Sequence, residues 1–268
     1  MSIDRDSLAD RMKRYERVTQ TVLPRRTYTL IRVDGRAFHS YLRDADRPYD
    51  YQFMADMDVV AQALCAEVSG TVFAYTQSDE ISLLVVDFQG ANTQPWFGGE
   101  VQKIVSTSAA VATAALCARR PGKPATFDAR VFTISDPVEV ANYFLWRQRD
   151  AVRNSITMAA QAQFSHQRLH GVNTRQMQEL LWAEKQINWN DYPVGAKRGR
   201  VVVKASGERE VTFVHRRTQQ PQTVSAMRSW WEVRDAPHFV LNAGTWLPQS
   251  IPAMPPFAGV LPAASALG

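Results

Sequence analysis

Two acidic motifs, about forty-five residues apart, hold the residues of this chain best suited to chemistry. The first reads Arg32-Val33-Asp34-Gly35-Arg36-Ala37-Phe38-His39 and the second Tyr75-Thr76-Gln77-Ser78-Asp79-Glu80. Asp34 and Asp79, brought side by side, would bridge two Mg²⁺ ions about 3.5–4 Å apart, one activating a hydroxyl and one holding a leaving phosphate. Hard cations of this kind bind through carboxylates together with substrate phosphates, so the platform suits nucleoside triphosphates. Gly35 would let its carbonyl approach such an ion and let the backbone turn sharply. The amides from Arg36 to His39 could form a concave nest for a triphosphate. Glu80 is either a support or a third ligand. Each motif alone also reads as a structural turn, because Asp-Gly is a common turn dipeptide and Ser-Asp-Glu suits a hairpin tip. His39 alone reads as a backbone-bonded histidine, and Arg43 and Arg47 as surface charges or phosphate contacts.

The elements that must position these residues follow from the periodicity. β-branched and aromatic runs lead into both motifs, predicting strands over 27–33 and 71–77, with a further strand over 81–88. Ser78-Asp79-Glu80 then forms a tight connection. Phe53, Met57, Val60, Leu64 and Val68 share one helical face, and Ser69-Gly70 ends that helix. A second long helix starts near Val101 and stops at Pro121-Gly122, and a strand runs from Asp128 to Ile134. The order strand, helix, strand, strand, helix, strand predicts an α+β class with a ferredoxin-like or polymerase palm core, βαββαβ. In that layout the first and third strands are neighbours at the sheet centre, so Asp34 and the Asp79 turn meet at one edge. Beyond it, 137–169 and 174–186 read as helices. Residues 200–215 read as a hairpin in which Val201-Val202-Val203 faces Val211-Thr212-Phe213. Three regions result: a palm-like catalytic core (1–135), a helical and hairpin extension (136–235) and a proline-rich uncharged tail (236–268).

Composition removes several alternatives. Hydrophobic residues make up 45% and charged residues 21%, which is ordinary for a globular chain. No wholly apolar run nears the roughly 18 residues of a membrane span, and the charged start lacks a signal-peptide centre, so a cytoplasmic location with no membrane partner is expected. Cys65 and Cys117 sit in apolar helical patterns and read as reduced, buried thiols. The net charge is +5, yet from Pro193 to Asp235 nine basic residues face four acidic ones. That stretch is either a phosphate-backbone footprint or a solvated surface. After Asp235 there is no Asp, Glu, Lys or Arg, and six of the 14 prolines lie between Pro237 and Pro262. This tail cannot be a regular helix, and it either packs on the body or is disordered. A Walker A loop, zinc-type Cys/His spacing and a Ser-His-Asp set are all missing from the sequence.

With these motifs the chain resembles the tRNA-His guanylyltransferase family, and more closely its guanylyltransferase-like bacterial and archaeal branch. The matching segments are Ile31–His39, Arg47-Pro48-Tyr49-Asp50, Ala74–Ser82, Phe127-Asp128-Ala129-Arg130, Trp146-Arg147-Gln148-Arg149-Asp150 and Lys197-Arg198-Gly199. The resemblance implies a 3′-to-5′ polymerase that adds nucleotides to the 5′ end of tRNA after ATP or GTP activates the 5′ phosphate. It implies Asp34, the Gly35 carbonyl and Asp79 as ligands of two Mg²⁺ ions, with Glu80 supporting catalysis. Arg36, Ala37, Phe38 and His39 become the triphosphate loop, with Ser78, Arg47 and Asp50 as further nucleotide contacts. Arg147, Arg149, Arg153, Asn154, Lys197, Arg198 and Arg200 become candidate RNA contacts, which makes 136–235 an RNA-contacting extension, and a homotetramer is the expected assembly.

Two departures bear on specificity. Arg47 stands where the family usually has lysine, which keeps the charge and changes the geometry. Val152-Arg153-Asn154-Ser155 stands where the eukaryotic enzymes carry a histidine-isoleucine-asparagine-asparagine motif tied to tRNA-His. The second departure favours templated repair of truncated 5′ ends, using all four nucleotides, over fixed, non-templated G addition. The competing readings are a nucleotide cyclase on the same palm scaffold and an RNA-binding protein without catalysis.

Overall fold

The strand and helix signals of the first half are realised in order in the computed structural model, which describes residues 7–90, 92–242 and 244–255. The helix α1 (Leu8–Arg17) is capped by Ser7 and buries none of its residues. The strand β1 (Tyr28–Gly35) leads into a single helical turn, α2 (Phe38–Tyr41), and then α3 (Tyr51–Glu67). Asp50 caps α3 by accepting from the amide of Phe53 at 2.7 Å, satisfying one of the free donors of its first turn. Next come β2 (Thr71–Gln77), β3 (Glu80–Val86), α4 (Val101–Arg119) and β4 (Phe127–Ile134). All neighbouring strands are antiparallel, in the order β4-β1-β3-β2. The expected palm-like core is therefore present, with β1 and β3 at its centre.

Each face of the sheet buries its own cluster, as the two-residue alternation of strand side chains demands. Ile31, Val33, Leu83 and Val85 meet α3 and α4 on one face. The helix α4 has a mean hydropathy of 1.3 over 19 residues, long and apolar enough by composition to cross a membrane. The sequence expectation missed this because Gln102, Lys103 and several Ser and Thr residues interrupt the apolar run. Here α4 sends Ile104, Ala112 and Leu116 into the core. Leu30, Phe73, Tyr75 and Leu84 meet α5 (Pro137–Gln161) on the other face. The far half of α5 packs against α6 (His166–Leu169) and α7 (Thr174–Lys185), and α8 (Val194–Arg198) follows.

The hairpin expected within 200–215 is not there. Residues Arg200–Val214 form one continuous strand, β5, paired with β6 (Pro221–Asp235) from Arg200↔Asp235 to Val214↔Pro221. Gly207 is not a turn residue: a Cβ there would meet the Trp230 ring at 3.3 Å, so the glycine makes room for the indole across the ladder. The reversal lies at 215–220, where Gln219 takes φ +52. Only Arg200–Val203 also pair with β2, so β5 extends the palm sheet to six strands. The remaining eleven residue pairs form a two-stranded ribbon about 35 Å long that extends beyond β2, held at its base where Gln62 donates to the Trp231 carbonyl.

The tail, as far as Pro255, packs on the body. Gln148 receives the Phe239 amide at 2.7 Å and donates to the Pro237 carbonyl at 2.8 Å, which replaces sheet or helix partners for those backbone groups. Phe239, Leu247 and Ile251 join the α5-face core. The tail does contain one short helix, α9 (Trp246–Ser250), despite Pro248. Residues 256–268 of the expected tail lie outside the described residues.

Candidate active site

Asp34 ends β1, and Glu80 begins β3 directly across the ladder. Ser78 and Asp79 form the two-residue turn from β2 to β3, with Ser78 in the left-handed region at φ +50. The amide of Gly35 donates to the Asp79 carbonyl at 3.1 Å, pinning this turn to the end of β1. Ser78 Oγ donates to Asp79 Oδ1 at 3.0 Å. Burial pushes the Asp79 carboxyl above the usual range, and the nearby negative charge of Asp34 adds to the shift. Two facing carboxylates held this way favour a cation between them.

Gly35 is required for a different reason from the one its sequence context suggests. It does not take a left-handed conformation. A Cβ at this position would sit 2.4 Å from the Phe38 ring, and Phe38 is buried against Phe53 and Phe127. Gly35→Ala is therefore expected to displace Phe38 and the 36–39 turn. The expected outcome is a loss of about 1–3 kcal/mol in stability from overpacking, together with at least tenfold lower activity. Chemical denaturation and steady-state rates on the same preparation check it.

Glu80 is a support and not a free ligand. Its two oxygens are held by Arg147, Nε to Oε1 at 2.7 Å and Nη2 to Oε2 at 2.5 Å. Burial raises the Glu80 carboxyl against the pull of Arg147 and Arg32. Among the described residues no three His, Cys, Asp or Glu side chains gather into a metal cluster. The donor set available is Asp34, Asp79 and the Gly35 carbonyl, all oxygen, and this fits a hard divalent cation completed by phosphate and water.

A cleft of about 310 Å³ opens beside Asp79. Its near wall carries Ser78, His39, Arg47 and Asp50, with Phe38 and Phe53 among its apolar lining. Its far wall is α5 at Ala151, Asn154 and Ser155, together with Gly195 and Gly199 at the ends of α8. Asp50 thus both caps α3 and faces the cleft. Ala37 is left-handed at φ +58, which starts the α2 turn. The Arg36 amide is committed to the Thr126 carbonyl at 2.9 Å, which takes it out of the expected nest. A larger depression of about 440 Å³ between α5 and His238–Leu241 contains no carboxylate, so size alone does not mark the site.

Three of the seven residues expected to contact RNA are turned inward, and their roles are corrected here. Arg147 is clamped to Glu80. Lys197 is buried, with Nζ bonded to the Asn190 carbonyl and lying 5.4 Å from the Trp189 ring centre, and burial lowers its pKa. Arg200 is buried, with Nε bonded to Asp58 Oδ1 at 2.5 Å and Nη2 to the Met54 carbonyl at 3.2 Å. Their donors tie α5 to β3, α8 to the turn at Asn190, and β5 to α3 and α8. Arg149, Arg153 and Asn154 are exposed, and Arg198 is half-buried. Arg153 pairs with Asp150.

Of the far wall of the cleft, the sequence reading named only Asn154, as an RNA contact, and missed Ala151, Ser155 and Gly195. Gly195 and Gly199 carry no side-chain chemistry, and only the helix-ending glycine after Lys197-Arg198 offered a signal. Gly199 is left-handed at φ +79, and a Cβ there would lie 2.6 Å from the Thr76 carbonyl.

Comparison with known proteins places these features. The family model described as tRNAHis guanylyltransferase, Thg1, matches residues 9–135. A solved bacterial tRNA(His) guanylyltransferase (Thg1)-like protein in complex with ATP is 39% identical, with a TM-score of 0.74, covering 87% of this chain and 94% of that one. The corresponding complex with GTP is 36% identical with a TM-score of 0.70, covering 87% and 94%. A probable tRNA(His) guanylyltransferase of Mus musculus is 28% identical over 209 residues, covering 69% of this chain and 67% of its own. The strand-end carboxylates, the cleft beside them and these likenesses agree: the chain belongs to the tRNA(His) guanylyltransferase (Thg1) family of nucleotidyltransferases.

Proposed function

We propose that this protein is a Mg²⁺-dependent 3′-to-5′ nucleotidyltransferase that restores truncated tRNA 5′ ends by templated addition, after ATP or GTP activates the 5′ phosphate. The observation that carries this reading is the cleft. It brings Asp79, Ser78, His39 and Arg47 together, which is the chemistry a triphosphate needs, and reaches one of the two strand-end carboxylates, Asp79.

Arg47 and His39 would hold the phosphate chain by charge and hydrogen bonding. Phe38 and Phe53 give the cleft an apolar surface for the nucleotide. Asp34, Asp79 and the Gly35 carbonyl would hold the cations, which stabilise charge on the transferring phosphoryl group and activate the attacking 3′-hydroxyl. Arg147 keeps Glu80 in place beneath them. The β5–β6 ribbon carries Arg209, Arg216, Arg217 and Arg228, which supports phosphate-backbone contact with an RNA far from the reacting end. Val152-Arg153-Asn154-Ser155 replaces the eukaryotic histidine-isoleucine-asparagine-asparagine motif at a segment whose Asn154 and Ser155 line the cleft, and that departure supports templated over fixed addition.

The test uses a tRNA lacking its first nucleotide and labelled at the 5′ phosphate, mixed with protein, Mg²⁺, ATP and the four nucleotides. The label is expected to become an internal, phosphatase-resistant phosphate, and only the nucleotide complementary to the opposing base should suffice. Addition of G regardless of that base would replace templated repair by fixed addition. Cyclic nucleotide formed without RNA would support the cyclase reading. Tight RNA binding without protection of the label would leave a non-catalytic binder.

A further inference from the structure

Nucleotidyl transfer needs two substrates at one pair of carboxylates, and the cleft accounts for one of them. Its lining reaches Asp79 and stops short of Asp34, Arg130 and Trp146. Asp34 and Arg130 lie on the face of the sheet that α5 covers, and Trp146 belongs to α5 itself. Arg32 lies directly across from Arg130, and Asp34 across from Asp128. Such cross-strand partners share one face.

Trp146 of α5 is 52% exposed. A single exposed indole is unremarkable in itself. This one is held. The guanidinium of Arg147 lies 4.5 Å from its ring centre, and Arg147 is locked to Glu80 by two hydrogen bonds. The Tyr143 ring meets it edge-on at 5.9 Å, and Tyr143 is fixed by Ser82 at 2.8 Å. The indole is thus rigid with respect to Glu80 and the strand end carrying Asp34, while much of its surface stays free. On the same face, across the ladder from Arg32, Arg130 is 53% exposed, its only close acid being Asp128 at 3.5 Å among the described residues.

We propose that Trp146 is a stacking platform for the terminal base at the RNA 5′ end, with Arg130 for the adjoining phosphate. This rests on the function proposed above and adds where the second substrate sits: the nucleotide enters from the cleft, and the RNA end meets Asp34 from the opposite side. Stacking on an aromatic ring is tolerant of base identity, which suits an enzyme that reads sequence by pairing.

The experiment compares wild-type protein with Trp146→Phe and Trp146→Leu, using a 5′-phosphorylated RNA stem with 2-aminopurine at its first position. Leucine keeps apolar area and removes the ring. Trp146→Leu is expected to raise the KM for RNA about ten- to hundredfold and to leave the KM for the triphosphate unchanged. Wild type and Trp146→Phe should quench the 2-aminopurine, and Trp146→Leu should not. If Trp146→Leu retains both RNA affinity and quenching, the platform is wrong. It is equally wrong if Trp146→Leu instead dissociates a wild-type oligomer measured by light scattering, since the indole then belongs to an interface between copies. If wild-type protein neither binds nor elongates the RNA, the function reading itself fails, and the platform with it.

Discussion

Asp79→Asn is expected to lower nucleotide addition by about a thousandfold or more, while RNA affinity stays within about twofold, because the change removes cation and transition-state stabilisation and little volume. The same substitution should raise the melting temperature of metal-free protein. Asp79 has a folded pKa raised by burial and by Asp34. A carboxyl shifted in that direction stabilises the fold only while protonated. Its contribution is complete below the unfolded value of 3.8 and is lost as the pH rises through the folded value. At neutral pH the ionised side chain therefore works against folding, and asparagine relieves this. Mg²⁺ should raise the melting temperature of wild type and do so less for Asp79→Asn. A variant in which RNA binding and turnover collapse together would make Asp79 a structural residue.

Arg147→Met is expected to give the largest stability loss. Arg147 and Glu80 have side chains 7% exposed each and share two hydrogen bonds. Removing the guanidinium leaves a buried, uncompensated carboxylate, which costs about 3–5 kcal/mol. In a chain of this size that lowers the melting temperature by about 10 °C. The cost should shrink as the pH falls, since burial already raises the Glu80 carboxyl and its protonated form needs no partner. Adding Glu80→Gln to Arg147→Met should recover most of the stability at neutral pH, because the charge that lacked a partner is gone. If the double variant is no more stable than Arg147→Met, the loss comes from packing against Trp146 and not from the unpaired charge.

The palm order was legible because it rests on local signals. β-branched and aromatic runs marked the strands, Ser69-Gly70 marked the end of α3, and the Ser78-Asp79 turn is two residues long. The continuous β5 strand was not legible. Gly207 looks like a turn residue in sequence, and only the Trp230 ring across the ladder shows why a glycine stands there. The same blindness affected charge. Arg147, Lys197 and Arg200 lie in a basic stretch or an RNA-like motif, and a lone arginine in sequence carries no sign of whether a carboxylate awaits it in the core. Asp58 and Glu80 decide that, and they lie 142 and 67 residues away along the chain.

By itself, the sequence determined the two acidic motifs, the strands that end at them and the family to which they point, because each depends on residues close together in the chain. Tertiary structure alone decided that Gly35 serves Phe38, that Glu80 is held by Arg147, that Gly195 and Gly199 line the cleft and that the exposed Trp146 ring is held by the same Arg147. Those are matters of distance between elements remote in sequence, where burial sets whether a charged or aromatic group is spent on the fold or left for a substrate.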